Sequence, residues 1–268
     1  MSYKSYITSD GKETFYKLGY NSAITTSTDP EDVWTKGGLY TFPLTTTPVN
    51  YIVSSGAADA GSNNPLNVDN TTLNSDGARA VHIKGLDINY DEIEETVFLK
   101  GTTGVHLINS YHRINECKVV ITGTGLINEG NISLQYWNGS TAAGTYAYIA
   151  AGQNSIQSSI YTVPSGKFLY LEKIEVSPTD LAQAAATNIV NFSVNSGSGG
   201  VLYAIYRNSG GGTDPEGMYS NIRAKSYTFV RPILIPATTD IKITAVTVGA
   251  TMAVRSVMEG YLLSGSYK

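Results

Sequence analysis

Between Ala80 and Leu134 the chain alternates apolar and polar residues in short runs. Val81 and Ile83 oppose His82 and Lys84, and Val97 and Leu99 oppose Thr96 and Lys100. A period of two places one set of side chains against a core and the other in water, the signature of half-buried β-strands. Gly, Asn and Asp recur between the runs, as in Asp87-Ile-Asn-Tyr-Asp91 and Gly101-Thr-Thr-Gly104, and supply the positive-φ positions of tight turns. The pattern predicts an antiparallel meander forming one sheet of a β-sandwich.

The second half repeats the theme. Strands are predicted over 160–163 and 167–176, a hairpin over 188–195 and 201–207, and strands over 226–235, 241–248 and 252–263. Two short helical stretches are expected: one turn at 29–38, with Asp29 as cap and Pro30 at the first position, and up to two turns at 179–186. Further strands are expected at 39–42 and 51–55, and 56–77 reads as a long loop without pattern.

The resulting expectation is an all-β protein of two tandem antiparallel β-sandwich (jelly-roll-like) domains. A polar N-terminal arm (1–30) precedes a first domain (31–140) and a second (141–268), with a hinge near Tyr136–Thr145. The arm shows neither period, so it is expected to gain order only against a neighbour.

Composition agrees with that class. Of 268 residues, 27 are Gly and 19 Tyr, while charged residues make up only 15%, which suits many turns and aromatic strands rather than helices. A net charge of −4 and a pI near 5.4 give no generic attraction to nucleic acid or anionic membrane, so neither is expected as a partner. The N-terminus lacks the apolar core of a signal peptide, so synthesis and retention in the cytoplasm are expected. Cys117 is the single cysteine and falls in a strand run, where a buried, inert thiol is the ordinary outcome.

Candidate chemistry is sparse. His82, His106 and His112 lack the spacings that force ligands together, so no metal site is expected. The acidic run 87–95 lacks the glycine and terminal Glu of an EF-hand, and Glu94 and Glu95 cannot face one another in a strand. Gly123–Gly130 joins strands instead of opening a helix, so no phosphate cradle is expected. No catalytic residue and no cofactor is therefore assigned. Tyrosines crowd the second half, and aromatic rings with polar tips suit interfaces. Trp34, Asn63, Asn64, Tyr203, Tyr206 and Tyr219 are the candidate partner contacts, with Trp34 expected to cover one end of the first core.

The order of pieces resembles a group of tailed-bacteriophage virion structural proteins. The resemblance rests on Glu31-Asp-Val-Trp-Thr-Lys-Gly-Gly38, Ile52-Val-Ser-Ser-Gly-Ala-Ala-Asp59, the run Gly85–Glu95, Leu99-Lys-Gly-Thr-Thr103, Ile160–Lys167 and Ile235-Pro-Ala-Thr-Thr-Asp-Ile241. It implies a multimeric, non-enzymatic particle component, decorating the head or belonging to the tail, and transfers no catalytic residue. The expectation drawn from it is a homotrimeric capsid cement or decoration protein in the virion, with further copies of itself and the major capsid protein as partners. The alternative is a tail-associated or receptor-binding protein whose residues 145–268 grip a host-surface glycan.

Overall fold

The computed structural model describes residues 11–25, 29–61, 76–180, 187–195, 200–209, 225–248 and 251–265. In chain order the strands are β1 (Glu13–Ile24), β2 (Glu31–Asp32), β3 (Val49–Ser54), β4 (Ala78–Leu86), β5 (Glu92–Phe98), β6 (Val105–Tyr111), β7 (Arg113–Thr122) and β8 (Ile132–Trp137). They continue as β9 (Ala142–Ile149), β10 (Ile160–Thr162), β11 (Lys167–Asp180), β12 (Thr187–Asn195), β13 (Gly200–Ser209), β14 (Lys225–Ile235), β15 (Asp240–Val248) and β16 (Met252–Ser264). All pairings are antiparallel and no helix occurs among the described residues, so the all-β sandwich expectation holds.

The chain divides into two compact units that do not follow the tandem boundaries. One is built from residues 1–40 together with 158–268, the other from 41–157. The second is therefore spliced, in chain order, into the first.

The discontinuous unit has two sheets, β1-β16-β11-β14 and β10-β15-β12-β13, with β2 added beside β15. Its pairing is nested: β1 with β16, β10 with β15, β11 with β14, and β12 with β13. Outermost pairs with outermost, which is how a long antiparallel ribbon rolls into an eight-stranded jelly roll. Phe15, Leu169, Leu171, Ile174, Phe192, Ile243, Val254 and Met258 are among the side chains that fill its core.

The expected N-terminal arm is thus corrected over 13–24, which form the edge strand β1, in register from Glu13 opposite Leu262 to Asn21 opposite Val254. The alternation there is inverted in chemistry. Phe15, Lys17, Gly19 and Asn21 face inward while Tyr16, Leu18 and Tyr20 face out. Only Phe15 of the inward set looks like a core residue. Gly19 is required because a Cβ there would lie 1.7 Å from Ser159 Oγ and 2.8 Å from the Val33 carbonyl. Asn21 replaces apolar contact with hydrogen bonds, donating Nδ2 to the Asp32 carbonyl at 3.1 Å and accepting the Ala23 N–H at 3.0 Å.

The expected helical turn at 29–38 is also corrected. Glu31 accepts the N–H groups of Thr25 and Gly38, both at 2.8 Å, and those bonds close a knot around Gly37 and Gly38, whose φ values are +74° and +73°. Burial pushes the Glu31 carboxyl up, but the Thr25 hydroxyl and the two N–H donors outweigh it and hold the group below its ordinary value. Of the second expected helix, Thr179 and Asp180 extend β11, and 181–186 lie outside the described residues. Residues 39–42 form no strand.

The continuous unit packs β6-β3-β8-β9 against β5-β4-β7. Ile52, Val81, Ile83, Leu99, Tyr111, Cys117, Ile132 and Leu134 are buried between them. The run 80–134 is accordingly not one meander: β4, β5 and β7 belong to one sheet and β6 and β8 to the other. Tyr136–Thr145 is no hinge but part of the β8–β9 hairpin.

Beneath β15 lies a buried ion pair. Asp32 is fully enclosed, accepts the Tyr40 N–H at 2.6 Å, and has the Lys242 ammonium 3.0 and 3.1 Å from its two oxygens. Burial raises the Asp32 carboxyl above its ordinary value, and Lys242 opposes that rise. Lys242→Met strands the carboxylate, raising it further, and is expected to cost roughly 3–5 kcal/mol at pH 7. Because the folded-state value then lies well above the unfolded one, the folded state takes up a proton first. The deficit relative to wild type should shrink as pH falls from the raised folded value toward about 4. Urea midpoints of both proteins across that range check it, and a deficit that widens on acidification would contradict it.

Candidate interaction site

The candidate contacts separate clearly. Trp34 is only 3% exposed, so it is corrected from a partner contact to a packing residue of the discontinuous unit. Its ring meets Tyr40 edge-on at 5.1 Å and its indole N–H donates to the Gly38 carbonyl at 3.2 Å. Tyr203 and Tyr206 occupy β13, with side chains outside the description, while Asn63, Asn64 and Tyr219 lie outside the described residues.

The histidines have separate surroundings. His82 sits on β4 with Nδ1 3.0 Å from Thr96 Oγ1 and Nε2 3.5 Å from Glu94, so it is partly covered rather than fully solvated. His106 is exposed on β6, and His112 is buried against the Tyr90 ring. Among the described residues no group of three or more His, Cys, Asp or Glu side chains is placed to hold a metal ion.

In the acidic turn the Asp87 carboxylate is occupied by its own loop, accepting the N–H groups of Asn89 and Asp91 at 2.8 and 2.9 Å. Glu95 accepts the Ile108 and Asn109 N–H groups, both at 3.0 Å, and so ties β5 to β6. Tyr111, buried nearby, has its hydroxyl held far above the ordinary tyrosine value, first by burial and then by the Glu95 charge, which outweigh the opposing influence of the Asn109 side chain.

Asp59 is the buried carboxylate that the sequence reading did not single out for a role. It accepts Ser54 Oγ at 2.6 Å and the N–H groups of Ala78, Glu129 and Gly130, each at 2.8 Å, and is fully enclosed. Glycines crowd around it: a Cβ on Gly77 would lie 2.3 Å from its Oδ1, and one on Gly130 would lie 2.0 Å from the Gly56 nitrogen. The signal was present in Ser54, Gly56 and Asp59 of the Ile52–Asp59 motif, but partners 19 and 71 residues away are invisible to a local pattern.

An aromatic cluster on the continuous unit was missed as well. Tyr51 of β3 stacks on Trp137 of β8, centroids 4.8 Å apart and planes 24° from parallel. His106 of β6 meets Tyr51 at 5.3 Å and Trp137 at 5.9 Å, edge-on to each. The Asn50 side chain fixes the Trp137 backbone from both sides, accepting its N–H at 2.7 Å and donating to its carbonyl at 3.2 Å. The three rings come from positions 51, 106 and 137, and only the β6-β3-β8 order brings them together.

No protein-family model matches the chain, and no characterised protein matches it in sequence. Among solved structures, that of the infectious bursal disease virus Gt strain is similar at 12% identity and a TM-score of 0.25, covering 96% of this chain and 73% of that one. The crystal structure of the infectious bursal disease virus VP2 subviral particle is similar at 10% identity and a TM-score of 0.25, covering 94% and 72%.

Proposed function

We propose that the chain is a non-enzymatic structural protein of a tailed-phage virion, assembled in the host cytoplasm as a homotrimer that decorates and cements the capsid. The observation that carries this reading is the nested eight-stranded jelly roll, whose first and last strands pair with each other, joined to the sequence resemblance through Glu31–Gly38, Ile52–Asp59 and Ile235–Ile241. Jelly rolls recur in viral capsid and lectin domains, although architecture by itself assigns no role. The chemistry of the buried carboxylates agrees: Asp59 is engaged in holding backbone and Asp32 in an ion pair and a backbone bond.

Such a protein acts by area rather than by a pocket. Trimers bridging neighbouring capsid subunits resist outward pressure through broad, shape-matched, polar-rimmed contacts. Sedimentation equilibrium and co-sedimentation with expanded empty heads test the reading. It predicts a mass of three chains and saturable binding that raises the heads' melting temperature. A monomer at every concentration, with no binding to heads, would overturn it.

A further inference from the structure

We infer that the outer face of the β6-β3-β8-β9 sheet, centred on Tyr51, His106 and Trp137, is a binding site for neutral oligosaccharides. The inference goes beyond the structural role above and is independent of position on the particle.

The first argument is the contrast between the two solvent-facing sheet surfaces of one sandwich. The β5-β4-β7 sheet carries an ordinary solvated face, with Lys84 and His82 beside Glu94 and Lys118 beside Glu116. Strands β3, β6, β8 and β9 contain no Asp, Glu, Lys or Arg at all. Water-facing strands without a single charge, bearing instead three clustered rings with Gln135 and Tyr148, present apolar faces edged by amide and hydroxyl groups. That is the complement of an uncharged pyranose, whose C–H face stacks on an aromatic ring while its hydroxyls seek neutral donors and acceptors. A charged ligand would find no counter-ion among the residues of these four strands.

The second argument is that the rings are held in place. Tyr51 and Trp137 are half-buried, and His106 stands exposed beside them. Tyr51 lies flat because residue 104 is glycine: a Cβ there would sit 1.9 Å from its Cζ and hydroxyl oxygen. Asn50 extends the β3–β8 pairing by one side-chain amide and fixes the backbone that carries Trp137. A preorganised ring surface spares the ordering cost of binding.

Tryptophan emission of the full chain provides the test, because the other indole, Trp34, is buried. The probes are cellohexaose, maltohexaose, chitohexaose and mannohexaose, each titrated to about 10 mM, with heparin hexasaccharide as the charged comparison. A saturable emission change with at least one neutral probe and none with heparin is expected. Trp137→Ala should abolish the emission change and weaken calorimetric binding by about tenfold or more, and His106→Ala, at an exposed position, should melt like wild type yet bind several-fold more weakly. Silence with every neutral probe, binding of heparin alone, or unchanged affinity in both variants would overturn the assignment. None of these outcomes touches the mass or head-binding results that test the structural role.

Discussion

Removing residues 1–24 should unfold the jelly roll while leaving the sandwich of residues 41–157 folded. The deletion takes away the whole of β1, exposes the edge of β16 along the register from Glu13–Leu262 to Ile24–Met252, and uncovers the core positions filled by Phe15 and Ile24. Each of those side chains contributes roughly 1.5–3 kcal/mol by burial. Ten lost ladder pairs and the buried bonds of Asn21 add several more, against a total stability of about 5–15 kcal/mol for an ordinary domain. Hydrogen exchange on the full chain and on the deletion checks this. Amides of 252–264 and 167–177 should lose protection together, whereas those of 81–86 and 132–135 keep theirs. Equal protection in both proteins would restore the reading of this segment as an arm.

Asp59→Ala should be the most damaging single substitution in the continuous unit, costing roughly 3–5 kcal/mol. It leaves the N–H groups of Ala78, Glu129 and Gly130 and the Ser54 hydroxyl buried without their acceptor. Alanine cannot be compensated by collapse, because the glycines packed around the carboxylate bring backbone, not flexible side chains, to the site. Asp87→Ala is the control: its carboxylate serves only its own solvent-facing turn, and about 1 kcal/mol is expected. Chemical denaturation followed by the Trp137 signal distinguishes the two. Equal costs would mean that Asp59 is not the knot of this unit.

These two cases also show what was legible in the sequence. Strands β4, β5, β11, β15 and β16 were readable because apolar residues alternate with polar ones along most of their length. β1 was not, because its inward positions are Lys17, Gly19 and Asn21, and its outward ones are Tyr16, Leu18 and Tyr20. Periodicity reports where apolar side chains fall, and here the buried face is filled by backbone contact and hydrogen bonds. The domain boundaries failed for a related reason. A discontinuous unit closed by pairing Glu13 with Leu262 leaves no composition change at residues 40 and 158.

The candidate site divides along the same line. Trp34 was expected to cover one end of the first core and to meet a partner, but its indole N–H is satisfied within four residues and its ring is enclosed. Tyr51 and Trp137 were assigned no role from sequence, His106 was weighed only as a metal ligand, and the three rings meet only through strand order. Cys117 needed no such help, since an apolar strand position predicts the buried thiol that is found.

A cryo-EM map of the particle that carries this protein tests the structural role most directly. The account predicts density for both sandwiches on the outer surface of the head, in threes, at positions where capsid subunits meet. Density for the chain at the tail tip, or on the head in isolated copies away from the junctions of capsid subunits, would contradict it.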